Sequence, residues 1–513
     1  MKNLFLSFSL VIVQLATFAQ APAIEWQKSF GGSAAEEASS IELTNDGGYI
    51  VAGYTTSNNG VVTGNHGNGD FWVVKLDASG TIQWQKTLGG TGVDGAYCIQ
   101  QTADGGYVVA GNSNSTNGNV TGNHGNIDYW VVKLSAAGTI EWQKTLGGTQ
   151  DEFAYSIQQT RDGGYIVAGF TNSNNGDVTG NHGGSDMWIV KLSSTGSIQW
   201  QKTLGGSAGE IAYGIQQTTD LGYIVAGGTG SNNGDVTGLQ GAIDYWVVKL
   251  TPTGAIEWQQ TLGGTSPEIA YSIQQTSDGG YIVAGVTQSY DGDVTGYHGG
   301  TGYDSWIVKL STTGAIEWEK AMGGTDNDYI KSIKQNTDGS YIAGGYTLSN
   351  DGDVSGNHGS WDLWAVKLSS TGTTQWQKTL GGTGPDGALS IQQTTDGGYI
   401  AAGSSAANNG DVTENQGSGD YWIVKLAPEA LSTNVFSKSD LKVFPNPTTV
   451  LLTIQNPNNI AIDKISITDL AGKTVRQQEQ NATQINVEQL ASGMYILQAY
   501  SGEEKYTSKF LKK

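Results

Sequence analysis

One cysteine, Cys98, is present in 513 residues, so no internal disulfide forms and no cystine framework holds the chain. Proline is scarce, at 8 residues. Glycine is plentiful, at 76, but shows no three-residue period, which excludes collagen. Only 14% of residues are charged, and their balance of −21 opposes sequence-independent binding to nucleic acid or to an anionic membrane. Histidine is limited to five residues, each followed by glycine, so the H-E-x-x-H pattern of metallopeptidases is absent. No segment has helical periodicity. Aromatic residues are abundant, with 15 tryptophans and 23 tyrosines, and this argues against disorder.

Long apolar runs are also lacking, with one exception at the N-terminus. Lys2 precedes an apolar stretch, Leu4 to Phe18, that ends on Thr17-Phe18-Ala19 with small residues at the −3 and −1 positions. This pattern predicts a secretory signal peptide over residues 1–19. The run is short for a membrane span, and no cysteine follows it to carry a lipid. No transmembrane span is expected.

The middle of the chain repeats. Trp26, Trp84, Trp142, Trp200, Trp258, Trp318 and Trp376 recur every 58 residues, with one step of 60. Trp72, Trp130, Trp188, Trp246, Trp306, Trp364 and Trp422 follow the same steps. Each unit carries four strand signals, termed a to d. In the third unit, Ser156–Thr160 (a) and Tyr165–Gly169 (b) flank the turn Asp162-Gly163-Gly164, and Met187–Leu192 (c) and Ser197–Leu204 (d) flank Ser194-Thr195-Gly196. Four short strands in each of seven units predict an all-β, closed seven-bladed β-propeller over residues 20–428. The region opens on Ile24–Lys28, a strand d without its c, and closes on Tyr421–Leu426, a strand c without its d. An open array would leave two raw edges; a ring lets the first strand complete the last blade. Cys98 stands in strand a where other units have Ser40, Ser156, Gly214, Ser272, Ser332 and Ser390. Small residues there fit the innermost strand, and the thiol reads as packing.

Residues 429–440 form a linker, and the composition changes at 441: glycine falls, isoleucine and lysine rise. Alternating segments such as Val450–Ile454 and Met494–Tyr500 predict a small Ig-like β-sandwich. Four spaced elements stand out: Phe444-Pro445-Asn446-Pro447, Asp469-Leu470-Ala471-Gly472-Lys473, Leu490-Ala491-Ser492-Gly493-Met494-Tyr495, and the closing Lys509-Phe510-Leu511-Lys512-Lys513. In these, residues 441–513 resemble the C-terminal sorting domain of type IX secretion cargo. The resemblance implies that this domain engages the type IX machinery, that the cargo crosses the outer membrane, and that it ends outside the cell or on its surface once both terminal segments are removed. It implies nothing about the work of the propeller.

Strand order places function. The a–b and c–d connections are tight turns, whereas the b–c and d–a connections are long and share one face, where variable loops carry binding on a rigid scaffold. His66, His124, His182, His298 and His358 lie in b–c loops, with Gln240 and Gln416 at the same place in the other units. Asp70, Asp128, Asp186, Asp244, Asp304, Asp362 and Asp420 persist whether or not histidine is present, so they are expected to cap strand c or to bond a neighbouring blade. Gly205-Gly206-Ser207-Ala208-Gly209 matches G-x-S-x-G without the strand–elbow–helix context of a hydrolase. Asp177, Asp235, Asp293, Asp353 and Asp411 sit in N-G-D-V-T-G segments similar to calcium loops. Their spacing departs from the EF-hand, and turn chemistry is the competing account. No other cofactor is expected. The repeat breaks in one sector, where Tyr290, Tyr297, Tyr303, Tyr329 and Trp361 are extra aromatic residues near Asp326 and Asp328. Rings with carboxylates suit a sugar. The expectation is a secreted or surface binding or adhesion protein with a glycan or protein ligand. An exported polysaccharide- or peptide-degrading enzyme and a purely structural surface protein are the alternatives.

Overall fold

The computed structural model describes residues 20–300, 302–429, 442–455, 462–470, 473–479, 483–501 and 504–513. The expected signal peptide, 1–19, lies outside the described residues, as does all of the linker 429–440 but its first residue. Two compact units are present, Met1–Pro428 and Glu429–Lys513. Every regular element among the described residues is a strand, and no helix is long and apolar enough to cross a membrane.

The first unit consists of seven four-stranded antiparallel sheets, each ordered a-b-c-d. In the third repeat these are Glu152–Gln159, Tyr165–Thr171, Asp186–Leu192 and Ile198–Leu204. Strand a therefore begins four residues before the position read from the apolar pattern, and the d–a connection, expected to be long, is only Gly205–Gly209. The reason is an acid. Glu152 opens the strand with its side chain buried and hydrogen-bonded, so a residue that looks like loop polarity belongs to the core.

The turns follow from local chemistry. At the a–b turn Thr160 N–H donates to Gly164 O at 2.9 Å, and Gly163 takes φ 80°, where a side chain would be strained. Lys191, almost fully buried, reaches Asp162 at 3.0 Å. Against the opposing cost of burial, the Thr160 hydroxyl and the Lys191 ammonium hold Asp162 down at about 2. The c–d turns do a second job. A Cβ on Gly138 would lie 2.9 Å from the Trp84 ring of the preceding sheet, so a strand-d tryptophan packs flush under each following turn.

Strands a of successive sheets lie against one another: Gln217 N–H donates to Gln158 Oε1 at 2.6 Å, and Ile215 N–H to Ser156 Oγ at 3.3 Å. Cys98 sits in this inner layer with Sγ 3.6 Å from Ile157 O, and burial pushes its thiol up. The last sheet combines both ends of the repeat region. Ile24–Phe30 pairs antiparallel with Asp420–Leu426, and Trp422 Nε1 donates to Gln27 Oε1 at 2.7 Å, the same Trp–Gln bond that Trp130 makes to Gln143 inside one unit. The last and first sheets touch as the others do: Tyr421 O–H donates to Trp72 O at 2.8 Å, as Tyr129 O–H does to Trp188 O at 2.9 Å.

The second unit contains a three-stranded and a four-stranded antiparallel sheet. Both contribute to one apolar cluster, with Leu452 and Ile485 from the smaller and Ile465, Leu497 and Phe510 from the larger.

Candidate functional site

The loop face carries two different structures. The first repeats at all seven junctions between sheets. Asp128 opens strand c, fully buried, and its Oδ2 accepts from His124 N and from His124 Nδ1, each at 2.8 Å. His66, His182, His298 and His358 make the same contact, at 2.5 to 2.8 Å. Where glutamine replaces histidine the backbone bond remains, from Gln240 N to Asp244 at 2.7 Å and from Gln416 N to Asp420 at 2.8 Å. The aspartates thus cap strand c from within their own loop. Their second oxygen, Oδ1, has no hydrogen-bond partner at any of the seven positions.

A second acid faces that oxygen from the next sheet. A Cβ on Gly147 would sit 2.5 Å from Glu152 Oε2 and 2.7 Å from Asp128 Oδ1, so two buried carboxylates converge on one glycine. Gly148 N–H donates to Glu152 Oε2 at 2.8 Å. Glu36, Asp94, Glu210, Glu268, Asp328 and Asp386 repeat this arrangement. Their constant place after the G-G pair was the signal in the sequence that could have revealed them. Burial, opposed by hydrogen bonds, raises all seven strand-c aspartates, and a nearby acid adds to the rise: the strand-a acid of the next sheet for Asp70, Asp128, Asp186, Asp244 and Asp420, and Asp353 or Asp411 for Asp304 and Asp362. Asp244 and Asp328 are pushed up to about 6.

The acids of the N-G-D-V-T-G segments serve the same corner. Asp177, Asp235, Asp293 and Asp411 accept from Gly147, Gly205, Gly263 and Gly381 N at 3.2 to 3.3 Å. Asp353 lies 3.6 Å from His298 Nε2. Among the described residues no group of three or more His, Cys, Asp or Glu is arranged to hold a metal. Ser207 of the G-x-S-x-G match is engaged by Asn233, whose Nδ2 donates to its Oγ at 3.0 Å.

The second structure does not repeat. Strand a presents Ser39, Tyr97, Tyr155, Tyr213, Tyr271, Lys331 and Leu389 at one inward position, so rings line the sheets from the second to the fifth and stop. Successive rings touch, with centroids 5.0 Å apart for Tyr97–Tyr155, 4.9 Å for Tyr155–Tyr213 and 5.1 Å for Tyr213–Tyr271. At the sixth sheet Tyr303, from the b–c loop of the fifth, meets Tyr329 at 5.7 Å, Tyr329 meets Tyr346 at 4.9 Å, and Tyr346 stacks on Trp361 at 4.8 Å and 4°. Lys331 Nζ joins the two groups, 3.3 Å from the Tyr271 ring centroid and 5.0 Å from that of Tyr329. Burial pulls the Lys331 ammonium down to about 7, with Glu37 acting the other way.

Of the five aromatics singled out in the sequence, Tyr303, Tyr329 and Trp361 come together. Tyr297 turns inward, packs on the core and donates its O–H to Gly302 O at 2.8 Å. Tyr290 stands apart, 77% exposed. Tyr346, Tyr271 and Lys331 were missed because they lie in strands rather than loops, although the lysine interrupting a column of tyrosines was visible.

Residues 442–513 match the model of the secretion system C-terminal sorting domain. The chain carries a type IX sorting domain. That sorting domain directs export to the cell surface or beyond it. No curated protein matches the chain. Among solved structures, PorZ of Porphyromonas gingivalis, a surface component of the type IX secretion system, is 11% identical, covering 94% of this chain and 60% of its own, with a TM-score of 0.40. The extracellular domain of the putative hybrid two-component system BT3049 from B. thetaiotaomicron is 10% identical over 94% of this chain and 56% of its own, with a TM-score of 0.41. Puromycin hydrolase is 10% identical over 83% and 60%, with a TM-score of 0.44. The chain thus spans about three fifths of PorZ, and likenesses of this strength say nothing about activity.

Proposed function

We propose that the chain is an exported surface protein whose repeats close as a seven-bladed ring, and that it binds a glycan at the inner rim of the loop face without turning it over. The pairing of Ile24–Phe30 with the last sheet and the bond from Tyr421 to Trp72 support closure. The two sheets of the sorting domain, sharing one core, support an Ig-like sandwich. The observation that carries binding is the run Trp361, Tyr346, Tyr329, Tyr303, with Trp361 still 41% exposed. Sugar C–H faces stack on such rings, and the face that carries them also carries every long loop. A glycan array probed with the protein, beside the Tyr346→Ala/Trp361→Ala double variant, tests it. Signal on neutral glycans that the double variant loses supports binding; an empty array overturns it. The rival, an exported enzyme, draws on Lys331, whose ammonium is pulled down to about 7 near Glu37. Turnover of a polysaccharide or peptide by the purified protein would replace the binding reading.

A further inference from the structure

A pocket of about 400 Å³ opens on the same rim, on the first to third sheets, away from Trp361. Its origin is a missing side chain. The second residue of strand a is Glu37, Phe153, Ile211, Ile269 or Tyr329 in five sheets, but Gly95 in the second and Gly387 in the seventh. These two glycines differ in what surrounds them. A Cβ on Gly387 would meet the Tyr346 ring at 3.3 Å, so a neighbour's side chain already fills that space. A Cβ on Gly95 would meet nothing nearer than Asn112 Oδ1 at 3.5 Å and Tyr97 Oη at 4.0 Å. The space that Tyr346 occupies in one place stands open in the other.

The walls state what fits. Tyr54, Tyr97 and Phe153 contribute rings, and Val93 and Ile127 contribute aliphatic surface. The polar groups are mostly engaged. Asn114 Oδ1 accepts from Val93 N at 2.6 Å, Asn68 Nδ2 donates to Thr91 O at 3.4 Å, and Asp94 accepts from Gly90 N, Ser115 Oγ and Ser113 Oγ. Asn112 is the exception. It is 5% exposed, and its Oδ1 is buried with no hydrogen-bond partner. Tyr54, Phe170, Gly228, Val286, Tyr346 and Ser404 hold this position of strand b in the other sheets, so the amide is particular to the second. A side-chain amide offers one acceptor and a donor group together. The buried acceptor without a partner calls for a ligand N–H, which a secondary amide carries.

We propose that the pocket over Gly95 takes the acetamido group of an N-acetylated hexosamine. The ligand N–H donates to Asn112 Oδ1, the acetyl oxygen, which in a trans amide points the opposite way, faces the open side, and the methyl and one sugar face lie on Tyr97 and Phe153. A peptide would bring a second amide into the same apolar walls, where leaving it unpaired is unfavourable. An acetamido sugar brings one amide and keeps its hydroxyls on the open side. This assignment rests on the glycan-binding reading and names its ligand class.

The test titrates the full chain with N,N′-diacetylchitobiose, with chitobiose bearing free amines, with cellobiose, and with an N-acetylated dipeptide. Diacetylchitobiose binding at least tenfold tighter than the other three supports the proposal. So does loss of that preference in Asn112→Val and loss of binding in Gly95→Ile. Both variants install a residue that another sheet already carries at the same position, Val286 and Ile211, and an unchanged thermal melt shows that they fold. Equal affinity for diacetylchitobiose and cellobiose, a preference that survives in both variants, or tighter binding of the dipeptide overturns it. If the array shows other glycans bound without acetamido preference, this inference falls alone; if no glycan binds, the reading of the whole rim falls with it.

Discussion

The junctions between sheets and the inner rim are built from the same seven repeats, yet one keeps the repeat and the other abandons it. At the junctions Asp128, Gly147, Gly148 and Glu152 have counterparts in every sheet, with only Glu and Asp exchanged. At the rim, one column runs from serine through four tyrosines to lysine and leucine. Sevenfold identity is what neighbouring sheets need in order to pack alike. A ligand that touches one sector needs the opposite. The difference separates scaffold from site without any appeal to a relative.

If the junctions and the pairing of the chain ends are scaffold, removing the end strand should have the largest effect of all. Deleting residues 20–30 takes away the partner of Asp420–Leu426, including Gln27 for Trp422 and Glu25 for Lys425. It leaves an apolar strand edge bare. Aggregation, or loss of a cooperative thermal transition, is expected by size-exclusion chromatography and melting. A deletion variant that stays monomeric and melts like the parent would refute the closed ring.

Glycine substitutions sharpen the same contrast. At Gly147 a methyl group would be driven into two buried carboxylates, at 2.5 and 2.7 Å. Gly147→Ala should cost more than about 2 kcal/mol in chemical denaturation, within the range for disturbing a buried polar network. At Gly95 the same methyl enters open space, and Gly95→Ala should fall within about 0.5 kcal/mol of the parent. Equal effects would erase the distinction between junction and rim.

Much of this was legible beforehand, and the omissions have physical causes. Two tryptophan series, paired turn glycines and period-two strands determined the number of sheets and their strand order. The start of strand a was misjudged because Glu152 and its counterparts look like loop residues until the hydrogen bonds that bury them are seen. Trp361 was found as an extra ring, but its stacking partner Tyr346 replaces Phe170 or Tyr54 in a strand, where an aromatic residue draws no notice. Tyr290 was counted with the others because loop position alone does not reveal which way a side chain turns.

Acid–base behaviour tests the junctions more gently. The strand-c aspartates bind protons more tightly in the folded chain than in the unfolded one, chiefly through burial, so their effect is to lower stability as pH rises above about 4, through about 6 in the case of Asp244. The turn aspartates Asp46, Asp104, Asp162, Asp220, Asp278 and Asp396 act in the other direction. Burial opposes ionisation there, but hydrogen bonds and the paired lysines hold them at about 2, and the stability they add is lost as pH falls from about 4 toward 2. Melting temperature should therefore peak between about pH 4 and 5 as far as these groups decide it. Asp244 is the cleanest probe, because glutamine stands where other loops have histidine. Relative to the parent, Asp244→Asn should gain about 1–3 kcal/mol between pH 4 and 7, at about 1.4 kcal/mol per unit of pKa. A constant difference across that range would show that the buried pair does not titrate.

A small effect on stability is expected at Trp361 as well. Its ring lies parallel to that of Tyr346 at 4.8 Å, with 41% of the residue exposed, so much of its surface is already in water. Its backbone oxygen accepts from Asp386 N at the junction, and an alanine keeps that bond. Trp361→Ala should therefore shift stability by no more than about 0.5–1.5 kcal/mol, the worth of one aromatic pair. Glycan affinity should fall by about 1–3 kcal/mol if the ring is a stacking anchor, by the scale of hot-spot truncations. The two measurements must separate for the rim to be a site. If stability drops as far as in Gly147→Ala while affinity is unchanged, the ring belongs to the scaffold and the departure from the repeat at this position has a structural cause.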